Sequence, residues 1–359
     1  MMKLRYLFLL IPLFTHAQKT EQVDTAIAPF LANNQFSGVI TIAREGKIIY
    51  QKTTGYRDFA SRTPLKKTDL FELASVSKQF TSMVIMLLQE KGQLQFDDPV
   101  EQYLDIPYKN ITIRHLLTHT SGLPDYQAIM DQHWDKSKVA NNDDILAYLR
   151  RYAPPTRFVA GSQYEYSNTG YVLLASIAEK ASGRDFSEIC RTDIFQPLGM
   201  KDTDLRTPAE RSAIPHFARG HIANSSQTIF LPADLFPSSN YTIWLGHREG
   251  PGRISSTTND LLKWDAALRN NRLIKKETLN EAYTPMLLND GQISYYGFGW
   301  DIFDNQPNHT IVGHNGDNPG YKTQIIRSVF NGKTLIVLSN NAPDKFDELV
   351  KTLQKLITE

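Results

Sequence analysis

Ser75 and Lys78 form the pair in this sequence whose residue types and spacing best suit covalent chemistry. If the segment 75–91 is helical, one turn separates the two side chains, and the hydroxyl and the amine lie on the same face. A serine hydroxyl becomes a good nucleophile only when a nearby base accepts its proton. A lysine held in an apolar site loses its charge more readily and can help take that proton. The pair therefore predicts nucleophilic acyl transfer through Ser75.

Tyr166 and Asn168 supply a second group with useful chemistry. A phenol near Ser75 can exchange the serine proton, and an amide can hold both the lysine and a substrate carbonyl. Asn168 could instead cap the helix predicted to begin near Gly170. The same Tyr-x-Asn spacing occurs at residues 108–110, but the proline before it and the asparagine within it place that copy in a turn. We therefore expect the later copy, not the earlier one, to face a cleft.

Residues 313–316, Gly-His-Asn-Gly, form the third group and lie at the end of a predicted C-terminal strand. A strand that ends in glycine can run alongside a substrate and offer its backbone groups to it. His314 begins the only His-x-Gly triplet, and no Lys-x-Gly triplet occurs in the chain. The alternative for His314 is a strand-end histidine bonded to backbone.

Two further segments accompany these motifs: residues 113–124, IRHLLTHTSGLP, and residues 252–257, GRISST. Taken in order, the motifs resemble the serine β-lactamase and penicillin-binding protein family, particularly its class C β-lactamase and D-alanyl-D-alanine carboxypeptidase branch. The resemblance extends from about Phe36 to Asn340. It implies a hydrolase that acts through an acyl-enzyme on peptide, amide, ester or β-lactam substrates.

The resemblance also implies roles for individual residues. Ser75 would be the acylated nucleophile, with Lys78 and Tyr166 sharing the acid–base role. The backbone N–H groups of Ser75 and Asp317 would form the oxyanion hole. The substrate-binding residues that it implies are Asn168, His314, Gly316 and Asp317.

His314 departs from the pattern of the penicillin-directed members, which usually carry lysine at this place. Lysine is a permanent cation suited to a substrate carboxylate, whereas histidine is charged only in part near neutral pH. Esterases, amidases and D-amino-acid peptidases of the family often have histidine here. We therefore expect a preference for uncharged esters or amides and weak turnover of penicillins.

Predicted strands at both ends of the chain indicate how these residues are positioned. Residues 38–43 and 48–52 are typical of a hairpin, and three more strands are predicted at 310–313, 323–326 and 334–338. The predicted helices are residues 75–91, 113–119, 143–152, 170–181, 186–194, 260–270 and 344–357. We expect an α/β fold in which an antiparallel sheet built from both chain ends is flanked by helices and carries an inserted, mostly helical lobe.

The first 17 residues follow the pattern of a secretory signal peptide, because Lys3 and Arg5 precede a short apolar run that ends near Ala17. A buried N-terminal helix is the alternative. We expect export to the periplasm or secretion, and one mature domain of residues 18–359. Within it, residues 18–72 and 245–359 would form the sheet region and residues 73–244 the helical lobe.

The remaining features narrow the function further. A net charge of +1 with no basic block predicts that nucleic acid is not a partner. No stretch after residue 17 is apolar enough to cross a membrane, so we expect no stable membrane anchor once the signal is removed. The expected partner is a small-molecule or peptide substrate, with cell-wall material among the candidates. Cys190 is the single cysteine and is expected to be buried.

Other classes of protein fit the sequence less well. An α/β-hydrolase would need Gly-x-Ser-x-Gly, which is absent. His115 and His119 have the spacing of metal ligands on a helix, but no third ligand is evident, so we expect no metal or cofactor. A penicillin-binding or sensor protein of the same fold, acylated without turnover, remains the alternative function.

Overall fold

The computed structural model describes residues 12–32, 35–224 and 229–358. The strands are β1 (Gly38–Arg44), β2 (Lys47–Thr54), β3 (Tyr56–Asp58), β4 (Thr63–Pro64), β5 (Phe71–Glu72), β6 (Asp204–Leu205), β7 (His221–Ala223), β8 (Phe230–Pro232), β9 (Ile254–Ser256), β10 (Met286–Leu287), β11 (Ile293–Ser294), β12 (Asp301–Gln306), β13 (His309–Asn318), β14 (Tyr321–Ser328) and β15 (Lys333–Ser339). The helices are α1 (Pro12–Leu31), α2 (Lys78–Glu90), α3 (Ile113–Leu117), α4 (Tyr126–His133), α5 (Asn142–Tyr152), α6 (Asn168–Ser182), α7 (Phe186–Ile189), α8 (Gln196–Leu198), α9 (Pro208–Ser212), α10 (Tyr241–Trp244), α11 (Thr258–Arg269), α12 (Lys276–Ala282) and α13 (Phe346–Thr358).

The main sheet joins the two ends of the chain. Within the described residues it has six antiparallel strands in the order β12-β13-β14-β15-β1-β2. β1 pairs along its whole length with β15, from Gly38 opposite Ser339 to Arg44 opposite Lys333. The predicted hairpin of β1 and β2 turns at Glu45 and Gly46, which both have positive φ angles. The predicted sheet from both chain ends is therefore confirmed.

Alternate residues of the central strands enter two different cores, as the twofold repeat of a strand requires. One core lies under α13. It contains Ile40, Ile42, Leu335, Val337, Phe346, Leu349, Val350, Leu353 and Ile357. The other core lies between the sheet and the helices and contains Val39, Ala43, Ile336 and Leu338 from the strands.

The helices between β5 and β9 form the inserted lobe, and α2 is its central element. Residues 78–88 of α2 are all buried. The segment predicted as one helix from Ser75 instead begins with a 3₁₀ turn, Ala74–Ser77, before α2 starts at Lys78. The predicted α/β class, a sheet flanked by helices with a mostly helical lobe, is confirmed.

Some predictions differ from the structure or lie beyond it. The helix predicted over residues 186–194 is α7 followed by a π-helical turn, Cys190–Phe195, and Cys190 is buried as expected. Of the predicted signal peptide, residues 1–11 lie outside the described residues, and residues 12–17 belong to α1. The division into residues 18–72, 245–359 and 73–244 stays a prediction. No described helix is long and apolar enough to cross a membrane.

Candidate active site

Ser75 is the one accessible point of an otherwise buried segment. From Asp69 to Leu88, all residues except Ser75 are buried. Ser75 is the second residue of the 3₁₀ turn, where the first backbone N–H groups have no acceptor inside the turn. Ala74 before it has a left-handed φ of 49°, a conformation that costs a non-glycine residue about 1–3 kcal/mol. The sharp turn therefore presents the serine hydroxyl outward.

The chain before this turn is fixed from two sides. The Leu73 backbone N–H donates to the Ile254 carbonyl of β9 at 2.8 Å, and the Thr323 hydroxyl of β14 donates to the Leu73 carbonyl at 2.7 Å. β9 belongs to a small three-stranded sheet with β5 and β6, which the sequence analysis missed because strands of two or three residues carry no readable alternation. Both sheets thus hold the serine turn in place.

Lys78 lies directly beneath Ser75 with no exposed surface. Its Nζ is 3.2 Å from Ser75 Oγ and donates to Asn168 Oδ1 at 2.9 Å and to the Pro251 carbonyl at 3.0 Å. Burial lowers the pKa of Lys78 well below its usual value, and the positive charge of Arg248 lowers it further. The neutral amine has a lone pair, so this arrangement can accept the serine proton.

Tyr166 lies over the same lysine, with Lys78 Nζ 4.7 Å from its ring centroid. The residue is 38% exposed, whereas its hydroxyl end is enclosed near Ser75. Burial raises the pKa of Tyr166 well above 10, and the hydrogen bond with Ser75 opposes this effect only in part. The phenol therefore stays protonated at neutral pH and can relay a proton between donor and acceptor.

Asn168 is the first residue of α6, and the preceding Ser167 is the N-cap. No side-chain capping bond is made by Ser167, and the Asn168 Oδ1 accepts from Lys78 Nζ. The alternative of Asn168 as a helix cap is therefore wrong. The Asn168 amide holds Lys78 instead, which is one of the two roles predicted for it.

The end of β13 forms an open edge beside the serine turn. β12 pairs with β13 only as far as Gly313, so the stretch from His314 to Asn318 has no strand partner on that side within the described residues. The side chains of Asn315 and Asp317 point outward, and Gly316 packs against the turn. An extended substrate can therefore pair with this backbone edge.

His314 is not the partly charged histidine that the sequence analysis expected. Only 1% of its surface is exposed, its Nε2 lies 2.8 Å from the Tyr296 hydroxyl, and its Nδ1 lies 2.5 Å from the Asn315 carbonyl oxygen. Burial lowers the pKa of His314 to about 3, and the nearby Lys78 contributes to the shift. The alternative of a histidine bonded to backbone is the correct one, and His314 cannot replace a lysine as a cation at neutral pH.

His119 is a neighbour of the site that the sequence analysis considered only as a metal ligand on a helix. Its ring centroid lies 4.3 Å from that of Tyr166, and its Nδ1 accepts the Ser167 backbone N–H at 3.2 Å. Burial lowers the pKa of His119 well below 6.5, so the ring is neutral. His115, four residues earlier, accepts the Thr112 backbone N–H as part of a helix cap. Both histidines therefore serve packing and capping, and they meet no third ligand in the described chain.

The segment that follows α10 was also missed as part of the site. The Pro251 carbonyl accepts from Lys78, and the Gly250 carbonyl accepts from the Thr81 hydroxyl at 2.7 Å. The Gly-Pro-Gly run at residues 250–252 was the signal in the sequence, since a turn of this composition brings backbone close to its neighbours. Arg248 lies on the same segment.

A cavity of about 720 Å³ adjoins the aromatic wall of the site. Tyr164, which lines it, packs against Tyr296 with ring centroids 5.9 Å apart. Asp301 lines it as well, and burial raises the pKa of Asp301 to about 6.

Comparisons with known proteins agree with this fold. A profile of the family described as Beta-lactamase matches residues 23–359. Penicillin-binding protein 4* of Bacillus subtilis (strain 168) is 41% identical over 331 residues, which cover 91% of this chain and 73% of that protein. D-aminopeptidase of Brucella anthropi is 29% identical over 289 residues, which cover 80% of this chain but only 52% of that protein.

A solved structure shows the same architecture. The octameric penicillin-binding protein homologue from Pyrococcus abyssi superposes with a TM-score of 0.78 at 27% identity, covering 94% of this chain and 77% of that one. Fold and relatives together define the class of the protein as a serine hydrolase. Because the family profile matches nearly the whole chain, the protein belongs to the β-lactamase family, and the resemblance seen in the sequence is confirmed.

Proposed function

We propose that the protein is an exported serine hydrolase that forms an acyl-enzyme through Ser75 on peptide, amide or ester substrates. The distance of 3.2 Å between Ser75 Oγ and the buried Lys78 Nζ is the observation that carries this proposal. The names of the relatives, a penicillin-binding protein and a D-aminopeptidase, support chemistry at a carbonyl next to a leaving amine. Residues 1–17 support export to the periplasm or secretion.

Acylation would begin when neutral Lys78 takes the Ser75 proton, directly or through Tyr166. The serine oxygen then bonds to the substrate carbonyl carbon, and the carbonyl electron pair moves to oxygen, where the backbone N–H groups of Ser75 and Asp317 bind it. The tetrahedral intermediate collapses by breaking the bond to the leaving amine or alcohol, which receives a proton through Tyr166. Water then gives a proton to Lys78, directly or through Tyr166, and bonds to the acyl carbon. The bond between that carbon and Ser75 Oγ breaks, the serine oxygen takes the proton back, and the acid leaves.

The substrate would lie along the open edge of β13, between this strand and Asn168. Its carbonyl would point toward the turn that carries Ser75. Gly316 allows the strand to come this close, because a β-carbon there would lie 2.2 Å from the Leu73 carbonyl oxygen. The cavity lined by Tyr164 and Asp301 would receive the part of the substrate beyond the strand.

A test of this function uses intact-mass analysis and steady-state hydrolysis with a panel of chromogenic esters, amides and penicillins. We expect one fluorophosphonate label per chain, which maps to the peptide of Ser75. Ser75→Ala should remove the label and reduce turnover by about 10⁴-fold or more. The exposed Ser61→Ala variant is the matched control and should behave as wild type.

Two outcomes would contradict the proposal. Full labelling of Ser75→Ala would show that another residue is the nucleophile. One stoichiometric acylation without continued hydrolysis of any substrate would instead support the penicillin-binding or sensor alternative.

A further inference from the structure

The cavity of about 720 Å³ beside the aromatic wall contains two polar groups that have no partner in the described chain. Asp301 and Ser294 both line this cavity. Among the described residues, the Asp301 carboxylate accepts no hydrogen bond and forms no ion pair. Ser294 is only 7% exposed, and its Oγ has no hydrogen-bond partner among the same residues. The cavity therefore offers a carboxylate and a hydroxyl to a ligand that brings hydrogen-bond donors.

Asp301 lies at the point where the open edge of β13 begins. It is the first residue of β12 and is opposite Gly313, the last residue of β13 with which β12 pairs. A substrate that pairs with residues 314–318 continues the position of β12 beside β13, about 4.8 Å from it, so one end of the substrate is directed toward Asp301. Asp301 is also close enough to Lys78 for each charge to shift the pKa of the other group. The carboxylate is therefore placed within reach of a substrate bound at Ser75.

The rest of the cavity lining suits a cation that is carried on an alkyl chain. Tyr164 and Tyr295 present exposed aromatic rings, and Leu288 and Ile293 supply apolar surface. The face of an aromatic ring attracts a cation, and methylene groups pack against apolar surface. Together with one carboxylate, this lining favours an aliphatic ammonium over an anion.

We propose that this cavity is a subsite for an ammonium group of the substrate, with Asp301 as its counter-ion. An ammonium has three N–H donors, which the Asp301 carboxylate and the Ser294 hydroxyl can accept. The inference rests on the proposed function and specifies its substrate class, namely acyl donors with an aliphatic amine in the half that enters the cavity. That amine can belong to the acyl half or to the leaving half of the substrate.

The charge of Asp301 sets the pH range in which this subsite binds an ammonium. Burial raises the pKa of Asp301 to about 6, and Lys78 opposes this effect. An aliphatic amine stays protonated up to about pH 10. Preference for the amine should therefore be present at neutral pH and be lost as the pH falls through about 6, because the carboxylate takes up a proton. The other ionisable groups around Asp301 are Lys78 on α2, Tyr164, Tyr166 and Tyr296 on the aromatic wall, and Asp290 and Tyr295 at the cavity.

Two matched substrate pairs test the inference and separate the two halves of the substrate. For the acyl half, ω-aminohexanoyl p-nitroanilide is compared with heptanoyl p-nitroanilide, in which a methyl group replaces the ammonium. For the leaving half, N-acetyl-D-alanyl-lysine amide is compared with N-acetyl-D-alanyl-norleucine amide. We expect wild-type kcat/KM at neutral pH to favour the amine of one pair about tenfold, the size expected for one charge-assisted hydrogen bond. This ratio should approach one at about pH 5, and that readout needs no variant.

Asp301→Asn should bring the amine-to-neutral ratio close to one and remove its pH dependence. The ratio cancels the effect of Asp301 on the pKa of Lys78, because both substrates of a pair share that effect. Asp290→Asn is the matched control, since this carboxylate lines the same cavity but is exposed and accepts the Gln292 backbone N–H. The control should keep the wild-type ratio, because solvent screens the charge of Asp290.

Calorimetric titration of the Ser75→Ala protein with each substrate gives the same comparison without turnover. Equal kcat/KM and equal affinity within both pairs would overturn the inference, as would an amine preference that survives in Asp301→Asn. Equal losses for both substrates of a pair in Asp301→Asn would show that Asp301 acts only through Lys78, which also overturns it. Hydrolysis of the neutral substrates without any amine preference would refute this inference and leave the proposed function standing. Selective binding of an amine without hydrolysis of any substrate would do the reverse.

Discussion

At the scale of single residues, the charge state of Lys78 decides whether the site can work. Burial has the largest effect on the pKa of Lys78 and lowers it, and Arg248 acts in the same direction. Asp125 and Asp301 oppose this and raise the pKa. The pKa of Lys78 is therefore set mainly by desolvation, and nearby charges of both signs adjust it.

Mutations can separate the effects of the positive and the negative charges on the pKa of Lys78. Because the proposed base is the neutral amine, kcat/KM for a neutral ester should fall as the pH falls through the pKa of Lys78. Asp301→Asn removes a negative charge and should move this acidic limb to lower pH. Arg248→Gln removes a positive charge and should move it to higher pH. The measurement is kcat/KM against pH for both variants and wild type.

The exposed ion pair of Lys52 with Asp24 offers a control for general effects of charge. Asp24→Asn should leave the acidic limb of the kcat/KM profile at the same pH, because solvent screens that ion pair. Identical limbs in wild type, Asp301→Asn and Arg248→Gln would show that Lys78 is not the titrating base.

At the scale of elements, the contact between β13 and the serine turn matters most. A β-carbon at Gly316 would lie 2.2 Å from the Leu73 carbonyl oxygen and 2.3 Å from Thr323 Oγ1. Neither the backbone atom nor the buried threonine can move without disturbing the turn. The glycine of the His-x-Gly triplet is thus required by close packing and not by an unusual φ angle.

Gly316→Ala should therefore destabilise the protein by about 1–3 kcal/mol, the usual effect of forcing an extra group into a packed site. Gly252→Ala is the matched control, since its β-carbon would make only ordinary contacts at 3.8 Å or more. Chemical denaturation of the two variants gives the comparison. A Gly316→Ala protein as stable as Gly252→Ala would show that strand and turn are not tightly held together.

At the scale of the whole molecule, the sheet depends on both ends of the chain being present. β1 lies between β2 and β15, so the N-terminal hairpin has no neighbour in the sheet without the C-terminal strands. α13 covers one face of this sheet with five buried apolar side chains. The helix is far in sequence from Ser75, but it stabilises the strand that lies beside the serine turn.

Leu353→Ala, in the middle of the buried face of α13, should reduce the free energy of unfolding by about 2–5 kcal/mol. The exposed Lys351→Ala on the same helix is the control and should change it little. Below the unfolding transition both variants should keep the wild-type kcat/KM, because neither residue contacts the site. Loss of activity in folded Leu353→Ala would show that α13 also controls the geometry of the active site.

The sequence by itself determined the motifs and the framework. The spacing of Ser75 and Lys78 survives in the structure because it depends only on one local turn, whether 3₁₀ or α. The hairpin of β1 and β2 and the buried face of α13 follow from local alternation and periodicity. The order of the three motifs was specific enough to indicate the family from the sequence alone.

Only the tertiary structure decided the charges within the site. His314 was expected to be charged in part, but burial and the nearby Lys78 lower its pKa and make it neutral. Arg248 carried no motif, yet folding buries it close enough to Lys78 to lower the pKa of that amine. Desolvation and long-range pairing depend on which distant segments meet, and no local pattern of residue types records that.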